Sequence, residues 1–171
     1  MTQPVLADPP VPPSGSDAGA RERDDRPVPP WLRTAGRLLA AAVAGVVLEG
    51  AFPALDLWFL APLSVAALTL LTRGVRPRRG ALLGFVFGLG FFVPHLQWSG
   101  IYVGELPWFA LATVESAYLA GLGALLPFAW RLRGGPAVHA LCVAGLWVLQ
   151  EAVRGRWPFG GFPWGDRKSV V

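Results

Sequence analysis

Charge is scarce in this 171-residue chain: 15% of its residues are Asp, Glu, Lys or Arg, against about 25% in soluble domains. A single cysteine excludes an intrachain disulfide framework and any multi-cysteine metal site. The two histidines, His95 and His139, are too few and too far apart to build a zinc site by themselves. No metal or cofactor is expected. The net charge of +4 invites a nucleic-acid reading, but that needs a basic face on a soluble domain. Here the basic residues form short clusters between long apolar runs, so no nucleic-acid partner is expected.

What the chain has instead is apolar length, with 53% hydrophobic residues, 21 Gly, 17 Pro and 8 Trp. Residues 1–33 stand apart. Eight of the prolines fall in the first 30 positions, with the charged run Arg21 to Arg26 and few large apolar residues. Such a stretch cannot offset the entropy of ordering and reads as a disordered tail. It carries no apolar core of a secretory signal.

From residue 34 the informative unit is the interval between charges. Leu38 to Phe52 is interrupted only by Glu49. Leu57 to Thr72 is 16 uncharged residues, with Pro62 as a further interruption; Gly80 to Gly104 is 25; Leu106 to Trp130 is 25 with Glu115 alone; Gly134 to Gln150 is 17. A helix needs about 20 apolar residues, with a range of about 17–25, to cross the hydrocarbon core. The expectation is an all-α, polytopic membrane domain over residues 34–165 with about five transmembrane helices. Arginine is retained on the cytoplasmic side of short loops. Arg33 and Arg37, the run Arg73 to Arg79, and Arg131 with Arg133 fall at alternate junctions, which sets the N-terminus inside and the fifth span's end, near Arg154 and Arg156, outside. A multi-pass protein of the cell membrane follows.

Few residues inside these spans could carry chemistry. Gly80, Gly84 and Gly88 are spaced by four, as in helices whose backbones approach closely. Trp31, Trp58, Phe59, Trp98, Tyr102, Trp108, Trp130, Trp157 and Trp164 lie at the expected boundaries and read as an interfacial belt. Cys142 has no nearby base in sequence and reads as a packed core residue. Glu115 lies well inside the fourth span, where an ionised carboxylate costs about 2.5–3.5 kcal/mol. His95 is its nearest candidate partner by depth, whereas Glu49 is expected to reach the interface. The densest constellation closes the fifth span. Glu151 and Arg154 are three apart and can pair on a helix, and Trp157, Phe162, Pro163 and Trp164 form a stiff aromatic stretch behind them. These residues are candidates for a lipid headgroup or substrate site, with a plain interfacial cap as the equal alternative.

Leu146-Trp147 with Glu151-Ala152-Val153-Arg154-Gly155, then Gly161-Phe162-Pro163-Trp164, resembles the L-W-x-x-x-E-x-x-R-G and G-F-P-W signature of the apolipoprotein N-acyltransferase family. The resemblance extends upstream through Phe52-Pro53, Asp56-Leu57-Trp58, the Gly84 to Phe92 stretch and Ala117-Tyr118-Leu119. It implies a two-step reaction in which an acyl chain passes from a phospholipid donor to an enzyme cysteine, and then to the amino group of a lipoprotein's diacylglyceryl-cysteine. It also implies that the Glu, Lys and Cys performing it lie in a nitrilase-like domain downstream of the matched region. No catalytic residue is therefore expected among these 171, and the chain alone is expected to be inactive. Actinobacterial relatives suggest a polyprenol-phosphate mannosyltransferase as a candidate partner. Residues 166–171 have no counterpart in the family pattern and read as translated sequencing adapter. The competing reading is a non-enzymatic membrane scaffold or transporter component, for which no internal repeat speaks.

Overall fold

A computed structural model of the chain describes residues 29–53 and 55–157. Residues 1–28 of the expected tail, the Phe162-Pro163-Trp164 stretch and the 166–171 segment lie outside the described residues. The tail's last residues, Pro30 to Arg33, are not disordered but form the first turn of α1, because Pro30 at the helix start favours the fold that the following apolar run continues. Every regular element among those described is helical: α1 (Pro30–Glu49), α2 (Leu60–Leu71), α3 (Pro77–His95), α4 (Gln97–Val103), α5 (Glu105–Ala129) and α6 (Pro136–Arg154). Pro30, Pro77 and Pro136 open α1, α3 and α6. The missing N–H of proline costs nothing there, because the first helical N–H groups have no partner in the helix. Gly104, at φ 91°, separates α4 from α5 in a conformation that only glycine adopts cheaply.

Three of these helices, α1, α5 and α6, are long and apolar enough to cross a membrane, where the uncharged intervals predict five spans. Two intervals are responsible for the difference. The interval from Leu57 to Thr72 yields only the 12 residues of α2, or about 18 Å at 1.5 Å per residue, because Leu57 to Phe59 belong to the preceding turn. Pro62 does not break α2; it sits in the first turn, where its missing donor is harmless. The interval from Gly80 to Gly104 splits at Leu96, directly after Pro94 and His95, into α3 and the short α4.

Close backbone approach builds the centre of the fold. A Cβ on Gly80 would lie 2.2 Å from the Gly123 carbonyl oxygen, and one on Gly123 would lie 2.3 Å from the Gly80 oxygen. Gly84 meets Leu119 and Gly88 meets Ser116 in the same way, so α3 and α5 run antiparallel at a separation no larger side chain permits. The spacing read from sequence is therefore a packing seam, of the kind that brings Cα–H groups against carbonyl oxygens. Pro127 helps, since it cannot donate to the Gly123 carbonyl from within α5. On its other side α3 packs along α1, where Gly45 fits against Phe87 and Gly90 against Ala42. Phe87, Leu68, Leu83 and Leu122 are buried between these helices.

The helices segregate charge by end. Glu49 meets His95 where α1 and α3 finish, and Arg37 shares a cleft with Arg79 where they begin, so α1 and α3 are parallel. Trp130 bonds to Thr69, joining the last turn of α2 to the end of α5. The arginines of the N-terminal, α2–α3 and α5–α6 junctions thus gather at one end, with Glu49, Asp56 and Glu105 at the other.

Candidate functional site

The most polar feature inside this apolar fold is centred on Arg154 at the end of α6. Its Nη1 donates to Glu115 Oε2 at 3.1 Å, and its Nη2 donates to Glu151 Oε2 at 2.6 Å. The guanidinium also lies 5.8 Å from the ring centroid of Phe92 on α3. Glu115 is buried at 3% exposure and Arg154 at 5%, whereas Glu151 remains open on one side. Removing these charges from water is costly, and only a bonded geometry of this kind makes it tolerable. One cation faces two acids, so the cluster has a formal excess of one carboxylate.

Helix geometry brings the group together. Glu151 and Arg154 are three residues apart on α6 and share a face. Gln150, one turn before Arg154, faces inward as well; Gln150 and Arg154 are the two buried residues of α6. The amide Nε2 and Oε1 of Gln150 have no hydrogen-bond partner among the described residues. Buried amides are normally satisfied, so this one offers a donor and an acceptor to an incoming polar group. The Tyr118 hydroxyl donates to the Trp157 carbonyl, tying the chain beyond α6 back to α5. The Trp157 ring itself is exposed.

Several expectations are corrected here. Glu115 pairs with Arg154 and not with His95. The α3–α5 register sets Gly88 against Ser116, so Glu115 is level with residue 88. His95 lies about 10 Å further along at 1.5 Å per residue. The His95 ring instead bonds to Glu49, with Nδ1 2.8 Å from Oε2, and lies between Phe91 at 4.8 Å and Phe52 at 4.7 Å. Glu49, the last residue of α1, is thus paired at the end of the bundle and only partly exposed. Arg154, the last residue of α6, is level with Glu115, about 15 Å along α5 from Glu105. Cys142 is half-buried, not part of the core, because α6 touches the bundle along a narrow face. Two tryptophans of the expected belt have structural bonds. Trp108 donates to the Val93 carbonyl at 3.0 Å, and Trp130 donates to that of Thr69 at 3.0 Å.

Sequence reasoning did not single out Gln150, Tyr118 or Phe92 for this cluster. The spacing of Gln150 four residues before Arg154 was the available signal. Among the described residues no group of three His, Cys, Asp or Glu could hold a metal ion. The arrangement can bind and orient a polar group; among the described residues it contains no thiol, serine or threonine hydroxyl, or amine.

Residues 44–167 match the family described as the apolipoprotein N-acyltransferase N-terminal domain. Curated relatives carry the same name. One from Photobacterium profundum is 35% identical over 139 residues, covering 75% of this chain and 26% of the relative. One from Ralstonia nicotianae is 38% identical over 164 residues, covering 89% and 31%. One from Mycolicibacterium smegmatis is 42% identical over 103 residues, covering 58% and 17%. The chain thus spans between about a sixth and a third of the length of these relatives.

Proposed function

The chain belongs to the apolipoprotein N-acyltransferase N-terminal domain family, and from that premise we propose that it forms the membrane part of an enzyme that N-acylates lipoproteins. The match over residues 44–167 carries this reading; it includes every member of the Arg154 cluster. In the proposed reaction an enzyme thiolate attacks the ester carbonyl of a phospholipid, a thioester forms and a lysophospholipid leaves. The free α-amino group of the diacylglyceryl-cysteine then attacks the thioester, forms the amide and releases the thiol. Such a relay divides one difficult transfer into two. We assign the reacting Glu, Lys and Cys to other parts of the enzyme. Cys142, half-buried on α6, is not proposed for that role.

The described helices supply position. We propose that Arg154, Glu151 and Gln150 form a polar step below the outer surface that receives the polar part of a lipid or of the lipoprotein substrate. Trp157, with Phe162, Pro163 and Trp164 of the family motif, is proposed as a further contact of that polar group. His95, paired with Glu49, is assigned a structural role. We further propose five crossings of the plasma membrane with the N-terminus cytoplasmic. The collection of arginines at one end supports that orientation. The length of α3, 19 residues packed along both α1 and α5, supports its crossing; the turn before α2 supplies the depth that α2 lacks. A polyprenol-phosphate mannosyltransferase is proposed as a partner on the resemblance alone, and co-purification from cells tests it.

The experiment is a chimera in which residues 44–157 of this chain replace the matching region of the Mycolicibacterium smegmatis enzyme, in cells depleted of their own. Mass spectrometry of a lipoprotein N-terminus should show the third acyl chain. Normal membrane levels without that chain would refute the assignment. In the same chimera, Arg154→Ala should abolish acylation if the polar step serves substrate.

A further inference from the structure

At the end of the bundle opposite the Arg154 cluster, Arg73, Arg76 and Arg131 line a cleft of about 350 Å³ together with Trp130. No acidic side chain among the described residues lines it. The same Trp130 forms part of the wall of a second cavity, an apolar groove of about 590 Å³ between α2 and α6, lined by Val65, Leu70, Ala140, Val143 and Ala144 among others. Both volumes are within the range of roughly 300–1,000 Å³ usual for small-molecule sites.

Trp130 is fixed in place as the partition. Its Nε1 donates to the Thr69 carbonyl, the Arg73 guanidinium lies 5.3 Å from its ring centroid, and His139 packs at 5.6 Å. A basic cleft and an apolar groove along α6 thus meet at a shared wall, Trp130. We propose that the two cavities hold one molecule, an anionic phospholipid, with its phosphate among Arg73, Arg76 and Arg131 and an acyl chain in the α2–α6 groove. Three cations without a lining acid select a negative headgroup, and basic pockets between helices at a membrane surface bind such groups. The apolar groove selects a tail and so distinguishes a lipid from a free phosphate ion. Because α6 meets the rest of the bundle along a narrow face, a tail wedged between α2 and α6 would also brace that helix. The inference rests on the membrane-spanning reading of α5 and α6, not on acyl transfer, and its ligand is a resident lipid remote from the polar step.

Native mass spectrometry of the detergent-purified full chain tests it, with phosphatidylglycerol and phosphatidylcholine of identical acyl chains as probes. Phosphatidylglycerol should be retained preferentially, and Arg73→Ala with Arg131→Ala should lower its retention about thirtyfold. Ala144→Trp, which fills the groove and leaves the arginines intact, should lower it as well. Arg33→Ala with Arg37→Ala, in a separate basic cleft, should not. If the double alanine variant fails to fold, by circular dichroism and gel filtration, Arg73→Gln and Arg131→Gln singly give the same reading. Equal binding of both lipids would overturn the proposal. So would displacement of the lipid by millimolar inorganic phosphate, which would reveal an ion site, or an unaffected Ala144→Trp variant. None of these readouts measures acylation, so failure here and failure of the enzyme assignment are separate results.

Discussion

A Cβ atom placed on Gly84 would stand 2.0 Å from the carbonyl oxygen of Leu119. Even alanine is excluded from that position while α3 and α5 keep their separation. Gly84→Ala is expected to force the pair apart and to cost about 1–3 kcal/mol, the usual range for overpacking. A lowered unfolding midpoint in detergent checks it. Gly121→Ala on the same helix pair is the control. Its Cβ would meet nothing within 4 Å, and replacing a helical glycine gains roughly 0.5–1 kcal/mol. Matching midpoints for the two variants would contradict the seam.

Arg154→Ala leaves Glu115 buried without the base it is bonded to. Breaking a buried pair on one side costs about 3–5 kcal/mol, while replacing both members by apolar or neutral groups costs far less. Arg154→Ala is therefore expected to be the more damaging change, and Glu115→Gln with Arg154→Met to recover most of the loss in the same unfolding assay. Arg154→Lys should fall between, because an ammonium cannot reproduce the two-armed contact to Glu115 and Glu151.

Which polar side chains pair can be tested directly by double-mutant cycles. Coupling of about 0.5–1.5 kcal/mol is expected between Glu49 and His95, and none between His95 and Glu115, which are too far apart to interact. His95→Phe should retain stability within about 1 kcal/mol of the parent, since its packing on Phe91 and Phe52 survives while the hydrogen bond does not. Substantial His95–Glu115 coupling would restore the pairing that depth alone suggested.

Trp108→Phe removes the indole donor from the Val93 carbonyl near the end of α3. A loss of about 1–2 kcal/mol is expected from leaving that acceptor without its bond. Faster hydrogen exchange in the α3–α4 connection would locate the effect. Trp31→Phe, at an exposed position on α1, should leave both measurements unchanged.

Much of this was legible in the chain because hydrocarbon imposes a strict rule on where charge can lie. The interval from Leu106 to Trp130 became α5, and the Gly80, Gly84 and Gly88 spacing became a seam. The Glu151–Arg154 contact followed from helical spacing alone. What escaped was set by relations between helices. Depth places Glu115 and His95 both in the outer halves of neighbouring spans, but the register fixed by Gly88 against Ser116 separates them, and a single sequence carries no register. The break after His95 was hidden for another reason. An uncharged interval reports what lipid tolerates and says nothing about continuity of hydrogen bonding, which Pro94 helps to end. Trp108 and Trp130 looked like surface anchors because composition cannot show that a carbonyl waits beside each indole.

Glu115 is synthesised 39 residues ahead of Arg154. The ribosome therefore delivers the acid to the membrane before its base exists. Entering by itself, α5 would bring an unpartnered carboxyl into hydrocarbon, whereas α5 and α6 entering together bring a pair already joined. If both helices cross the membrane, forming the contact would be the step that joins them into one hairpin, and a chain halted between residues 115 and 154 carries an acid with no base yet made to meet it.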